Sequence, residues 1–89
     1  MLIEKSNRKG KRFKATFKNG KVIHFGQENG KTYIDEGNKT KRENYLARHK
    51  KRENWNDPYS AGALSRWILW GDYTSIDGNI ASYKRMFNV

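Results

Sequence analysis

The stretch that decides the fold is Arg12-Phe-Lys-Ala-Thr-Phe-Lys-Asn-Gly-Lys-Val-Ile-His-Phe25. Phe13, Ala15 and Phe17 alternate with Lys14, Thr16 and Lys18, the period-two pattern of a strand with one buried face. Asn19-Gly20 follows, and then a second strand-like run, Lys21-Val22-Ile23-His24-Phe25. Two such runs joined by Asn-Gly predict a hairpin in which both turn residues take positive φ. Gly26 closes the second run, Asn29-Gly30 marks another turn, and Lys31-Thr32-Tyr33-Ile34 supplies a third short strand. The expectation is a three-stranded antiparallel meander over about residues 12–35, with Phe13, Phe17, Ile23 and Phe25 facing inward.

Beyond Gly37-Asn38 the period changes. Thr40-Lys41-Arg42-Glu43 fits a capping box, in which the hydroxyl and the carboxylate each satisfy a free backbone N–H. Tyr45, Leu46 and His49 then fall at helical spacing. Asp57-Pro58 suits the start of a second helix, because proline at the first helical position gives up no hydrogen bond. Ala61, Leu64, Trp67 and Ile68 form its apolar stripe, and Gly71 stops it. Thr74-Ser75-Ile76-Asp77 opens a third helix, along which Ile76, Ile80, Tyr83 and Phe87 share one face. Helices are predicted over about 40–52, 58–70 and 75–87, giving an α+β domain with strands first and helices after. Residues 1–10 show no periodicity and are expected to form a mobile basic arm, or at most an edge strand from Met1 to Ile3. Residues 11–89 make one domain.

A chain of 89 residues hides only ~60–65% of its unfolded surface, so most of its large apolar side chains are needed inside. Hydrophobic residues make up 35%, and the twelve aromatic ones offset this low share by the area each ring buries. Phe17, Phe25, Trp67, Ile80 and Phe87 are assigned to the core, while Tyr33, Trp55 and Tyr59 are the rings expected nearer the surface. The absence of cysteine excludes disulfides, thiolate zinc sites and a cysteine nucleophile. No apolar run is long enough to span a bilayer. Met1-Leu2-Ile3 leads into Glu4 and Lys5 instead of an apolar signal core, so neither membrane insertion nor secretion is expected.

Charge is the strongest functional signal. The formal net charge is +10, and it is unevenly spread. Residues 1–52 carry 16 Lys/Arg against five Asp/Glu, whereas residues 53–89 carry three against four. The surplus gathers in Arg8-Lys9-Gly10-Lys11-Arg12-Phe13-Lys14 and in Arg48-His49-Lys50-Lys51-Arg52, with Lys39, Lys41 and Arg42 just upstream of the second. A helix C-terminus accommodates one or two cations against its dipole, not four. Such a field attracts polyanions, so DNA or RNA held by its phosphates is the expected partner. The contacts are assigned to Arg8, Lys9, Lys11, Arg12, Lys14, Lys41, Arg42, Arg48, Lys50, Lys51 and Arg52. Binding of this kind carries little sequence information.

Two other classes compete. In the first, the basic face docks an acidic protein, or the chain forms a homodimer through a strand edge or the Tyr83/Phe87 end of its last helix. In the second, Arg48, His49, Glu53, Asn54, Asp57, Ser65 and Arg66 line a nuclease-like pocket. No Gly-rich phosphate loop or paired-carboxylate metal motif accompanies them, and Asn54, Asn56 and Asp57 are what a turn requires. No catalytic activity is therefore expected. His24 and His49 lack partners at metal-ligand spacing, and no metal or cofactor is expected either.

Several segments carry a resemblance: Asn44-Tyr-Leu-Ala-Arg-His49, Glu53-Asn-Trp-Asn-Asp-Pro58 and Gly62-Ala-Leu-Ser-Arg-Trp-Ile-Leu-Trp-Gly71. They are joined by Lys11-Arg-Phe-Lys14, Ile23-His-Phe-Gly-Gln27 and Thr32-Tyr-Ile-Asp35. Together, across about residues 11–88, they resemble a family of small basic proteins of nucleocytoplasmic large DNA viruses, the giant and algal viruses. The resemblance implies a viral protein, associated with the virion or acting in the cytoplasm or nucleus of the host cell. It implies no catalytic residues.

Overall fold

A computed structural model describes residues 1–89. Three strands, β1 (Leu2–Lys5), β2 (Lys11–Thr16) and β3 (Val22–Gln27), form one antiparallel sheet in the order β1-β2-β3. Helices follow: α1 (Tyr33–Glu36), α2 (Lys39–His49), α3 (Ala61–Leu64), which runs on as a π-helical segment at Ser65–Leu69, and α4 (Ile76–Phe87). The α+β order, a three-stranded antiparallel meander and then helices, is the one the sequence predicts. One strand of the three is a different segment.

The extra strand comes from the segment expected to be an arm or at most an edge strand from Met1 to Ile3, and it is the edge strand, running from Leu2 to Lys5. Leu2, Ile3, Glu4 and Lys5 stand opposite Thr16, Ala15, Lys14 and Phe13, so Ile3 joins the packed face beside Ala15. The Lys11 N–H donates to the Arg8 carbonyl at 3.1 Å and closes the turn carrying Arg8 and Lys9. The first basic block therefore straddles a hairpin tip instead of lying in a free tail.

The expected strand at Lys31–Ile34 is not one: Tyr33–Glu36 is a helical turn. Thr32 is its N-cap, and the Asp35 carboxylate accepts from the Thr32 N–H at 2.8 Å and from its hydroxyl at 2.9 Å. A Thr three residues before an Asp satisfies these groups locally, and that outweighs a ladder the segment would have to reach across space to join.

The β2–β3 turn is one residue longer than Asn-Gly alone suggests. The Phe17 N–H donates to the Lys21 carbonyl at 2.9 Å, and the Gly20 N–H to the Phe17 carbonyl at 3.0 Å. Only Gly20 takes a positive φ, +88°, while the Asn19 Oδ1 accepts from the Lys21 N–H at 3.0 Å. This is a three-residue loop closed by a left-handed glycine. It sets Ala15 opposite Ile23 and Phe13 opposite Phe25, so the expected inward residues share the packed face.

Asn38, not Thr40, caps α2, its side chain accepting from the Lys41 N–H at 3.0 Å. The helix ends at His49, and Lys50, Lys51 and Arg52 occupy the turn beyond it. Asp57-Pro58 belongs to a turn, and the second predicted helix begins after Ser60, whose hydroxyl oxygen accepts from the Ala63 N–H at 3.0 Å. The wider winding of Ser65–Leu69 leaves Ile68, Leu69 and Trp70 all buried in succession. Ser75 caps α4, which spans nearly its predicted range.

Phe17, Phe25, Tyr45, Leu64, Ile68, Trp70 and Tyr83 make up most of the core, with Ala15 and Leu69. Trp67, Ile80 and Phe87, expected inside, lie half-buried at its margin. Tyr33, Trp55 and Tyr59 are half-buried as well; the Tyr59 ring meets Phe17 edge-on at 4.8 Å. No helix is long and apolar enough to cross a membrane.

Candidate nucleic-acid interface

A cleft of about 600 Å³ opens between the end of the sheet, the loop from Gly26 to Thr32, α2 and the start of α3. Lys11 reaches it from β2, Lys31 from the loop, and Lys41 and Arg48 from α2. Positions 41, 45, 48 and 49 lie within one side of a helix with 3.6 residues per turn, so Tyr45 and His49 line the same wall. The only carboxylate on the wall is Glu53, and it is engaged: its Oε1 accepts from the Trp55 indole N–H at 3.1 Å and lies 3.4 Å from His49 Nδ1.

Rings form the floor. Tyr45 stacks on Trp70 at 4.4 Å with 7° between the planes, and His49 stacks on Tyr45 at 4.2 Å and 25°. Two rings stacked on a third at these separations must occupy opposite faces, so Tyr45 is the middle of a three-ring column with His49 outermost. Burial, and secondarily the Glu53 charge, raises the Tyr45 phenol well above its ordinary range, so it stays protonated.

A second basic group adjoins the first. Lys14 lies opposite both Glu4 and His24 on the uncovered face of the sheet. The His24 imidazole is depressed by desolvation and then by the charges of Arg8, Lys14 and Lys11. Its Nδ1 is 2.7 Å from Ser6 Oγ.

The eleven cations singled out from the sequence thus separate. Lys11, Lys41 and Arg48 line the cleft; Arg8, Lys9 and Lys14 belong to the first hairpin and do not line it. Lys50, Lys51 and Arg52 are exposed beyond α2 and do not line it. Arg12 and Arg42 are committed elsewhere, and Lys41 Nζ donates to Glu36 Oε1 at 2.9 Å in an exposed ion pair. The Arg42 Nε donates to the carbonyls of Trp70 and Gly71 at 3.1 and 3.0 Å, and its Nη2 to Asp72 at 3.1 Å. Lys31 was not anticipated, because a single lysine between Gly30 and Thr32 belongs to neither basic block. Of the 19 Lys/Arg, only Arg12, Lys41 and Arg42 sit within 4.0 Å of a carboxylate, so most of the surplus is unneutralised.

Arg12 grips Asp35 with both Nη atoms, each at 2.7 Å. This fork holds the carboxyl well below the usual carboxylate range, with the two Thr32 bonds assisting against partial desolvation. An unfolded Asp takes up its proton near pH ~4, whereas the folded one does so only at lower pH. The contribution is therefore fully present above pH ~4 and is lost as the pH falls toward the folded value. Asp35→Asn is expected to cost on the order of 1–2 kcal/mol at neutral pH and to flatten the acid side of the urea midpoint against pH. Equal acid slopes in the two proteins would assign the acid sensitivity to other carboxylates.

A family model described as a family of unknown function (DUF5754) matches residues 1–49. No curated protein and no solved structure matches the chain. The matched residues include the sheet, α1, α2 and all four cations of the cleft, and they are more than half of the sequence. The chain therefore belongs to the DUF5754 family.

Proposed function

We propose that this protein binds nucleic acid without sequence preference, holding the phosphate backbone along the cleft and the adjoining hairpin. The observation that carries this reading is the convergence of Lys11, Lys31, Lys41 and Arg48, from three separate segments, on a wall whose one carboxylate is already engaged. Cations spaced along a groove neutralise successive phosphates and release their counterions, which gives affinity without base readout. The resemblance to small basic proteins of large DNA viruses supports a viral setting, in the particle or the infected cell.

A salt titration tests it. The logarithm of the duplex-DNA association constant should fall with log salt at a slope between about −3 and −5. Replacing Lys11, Lys31 and Arg48 together by alanine should flatten the slope by about 2–3 and weaken all sequences alike. Lys84→Ala with Arg85→Ala, on α4 away from the cleft, should leave it nearly unchanged. A wild-type slope shallower than about −1 would remove the phosphate contacts from the account. Selective loss of one sequence would replace them with base readout.

A further inference from the structure

We infer that the cleft accepts a nucleic-acid strand with unstacked bases, one base resting on the exposed face of His49 while Lys11, Lys31 and Arg48 hold its phosphates. This rests on the phosphate reading above and names the form of nucleic acid that the site takes. The geometry asks for more than charge. Tyr45 is closed on both faces, by Trp70 on one side and His49 on the other. His49 is closed on one face only, its side chain keeps 37% of its surface, and it lines the same cleft as the cations. The column beneath it is fixed by the core: Trp70 and Tyr45 are 7% and 8% exposed. The Glu53 Oε1 lies 3.4 Å from the His49 Nδ1.

A pre-ordered ring beside a row of cations is the arrangement by which proteins hold single strands, with bases stacking on aromatic side chains, histidine among them, and the backbone tracked by charge. A duplex keeps its base faces inside its own stack and cannot offer one to His49 without paying for disruption. A hairpin loop, a strand end or an unwound segment can. Both RNA and DNA present such bases, so the recognised element is the unstacked base with its flanking phosphates.

The test is fluorescence anisotropy at fixed low salt. The probes are labelled oligothymidylate and oligouridylate of about ten nucleotides, an abasic strand of equal charge, and a duplex. Wild type should bind the base-bearing strands about tenfold more tightly than the abasic one. His49→Ala should lose most of that margin and leave abasic binding unchanged, while His49→Phe, which keeps a ring but no ionisable nitrogen, should restore it. Far-UV circular dichroism of both variants checks that each is folded. If His49→Ala weakens abasic and base-bearing strands equally, or His49→Phe fails to rescue, stacking is overturned and phosphate binding stands. If no form of the protein binds any of these probes, the phosphate reading itself falls, and this inference with it.

Discussion

Tyr83→Ala is expected to remove about 3–5 kcal/mol of stability, the usual cost of cutting a buried aromatic side chain back to a methyl group. The Tyr83 side chain is fully buried, its ring centroid 4.7 Å from that of Phe87. Its hydroxyl donates to the Pro58 carbonyl at 2.6 Å. That bond fastens α4 to the loop before α3, two segments 25 residues apart in sequence. At ~0.05–0.15 kcal/mol per residue, a chain of this length holds only about 4–13 kcal/mol in total. The truncation thus removes about a quarter of it or more. The urea midpoint should drop by roughly 2 M or more. Tyr83→Phe keeps the ring and gives up the hydroxyl, for about 1 kcal/mol. Similar midpoints for the two variants would move the stabilisation from the ring to the hydroxyl, and an alanine midpoint within ~0.5 M of wild type would remove Tyr83 from the core altogether.

Gly71→Ala is expected to be nearly as damaging, at about 2–4 kcal/mol. The reason is space. A β-carbon there would overlap the Trp67 carbonyl oxygen and lie 2.7 Å from both Cγ and Oδ1 of Asn79. Neither neighbour can retreat. The Trp67 carbonyl belongs to the backbone of the π-helical segment. Asn79 is buried, its amide donating to the carbonyls of Ile68 and Tyr73, both at 2.8 Å, while its oxygen accepts from the Tyr73 N–H at 3.1 Å. Relieving the overlap means loosening that clamp and leaving some of its groups unpaired. The loss should lower the melting temperature by roughly 10 °C or more for a domain of this size. Because the Trp70 and Gly71 carbonyls hold Arg42, and the Trp70 ring is the base of the cleft's column, the variant should bind polyanions less well even where it is folded. A melt superimposable on wild type would mean that the loop can shift without cost.

How far the sequence reveals all this depends on the range of the interactions. The Phe13–Phe17 alternation, the Asn19-Gly20 turn and the Ser75 start of α4 act within a few residues, and they are readable. The α1 turn is equally local: Thr32 and Asp35 spell a capping box, but the β-branched Thr32 and Ile34 around Tyr33 argue as strongly for a strand. β1 is only half legible: Leu2 and Ile3 are too few to show a period, so the sequence offers an edge strand at Met1–Ile3 as the lesser alternative to an arm, and pairing with β2 makes Leu2–Lys5 a strand. Gly71 is recognisable as a helix stop, yet its requirement is the nearness of Asn79, which no spacing reveals. The site divides in the same way. The two basic blocks are plain in the sequence. That Lys31 joins them, that Arg12 and Arg42 are turned to internal partners, and that His49 ends a column of rings follow only from the way distant segments meet.

The shortage of partners for the lysines and arginines also bears on the empty protein. Like charges crowded at the sheet end and along α2 repel one another, and mobile ions relieve that strain within a Debye length of about 10 Å at 0.1 M. Raising ionic strength should therefore firm the domain by itself, while under the proposed function it would weaken polyanion binding. Under the proposed binding, a polyanion would stand in for the missing counter-ions, and the melting temperature should rise when nucleic acid is added in dilute buffer.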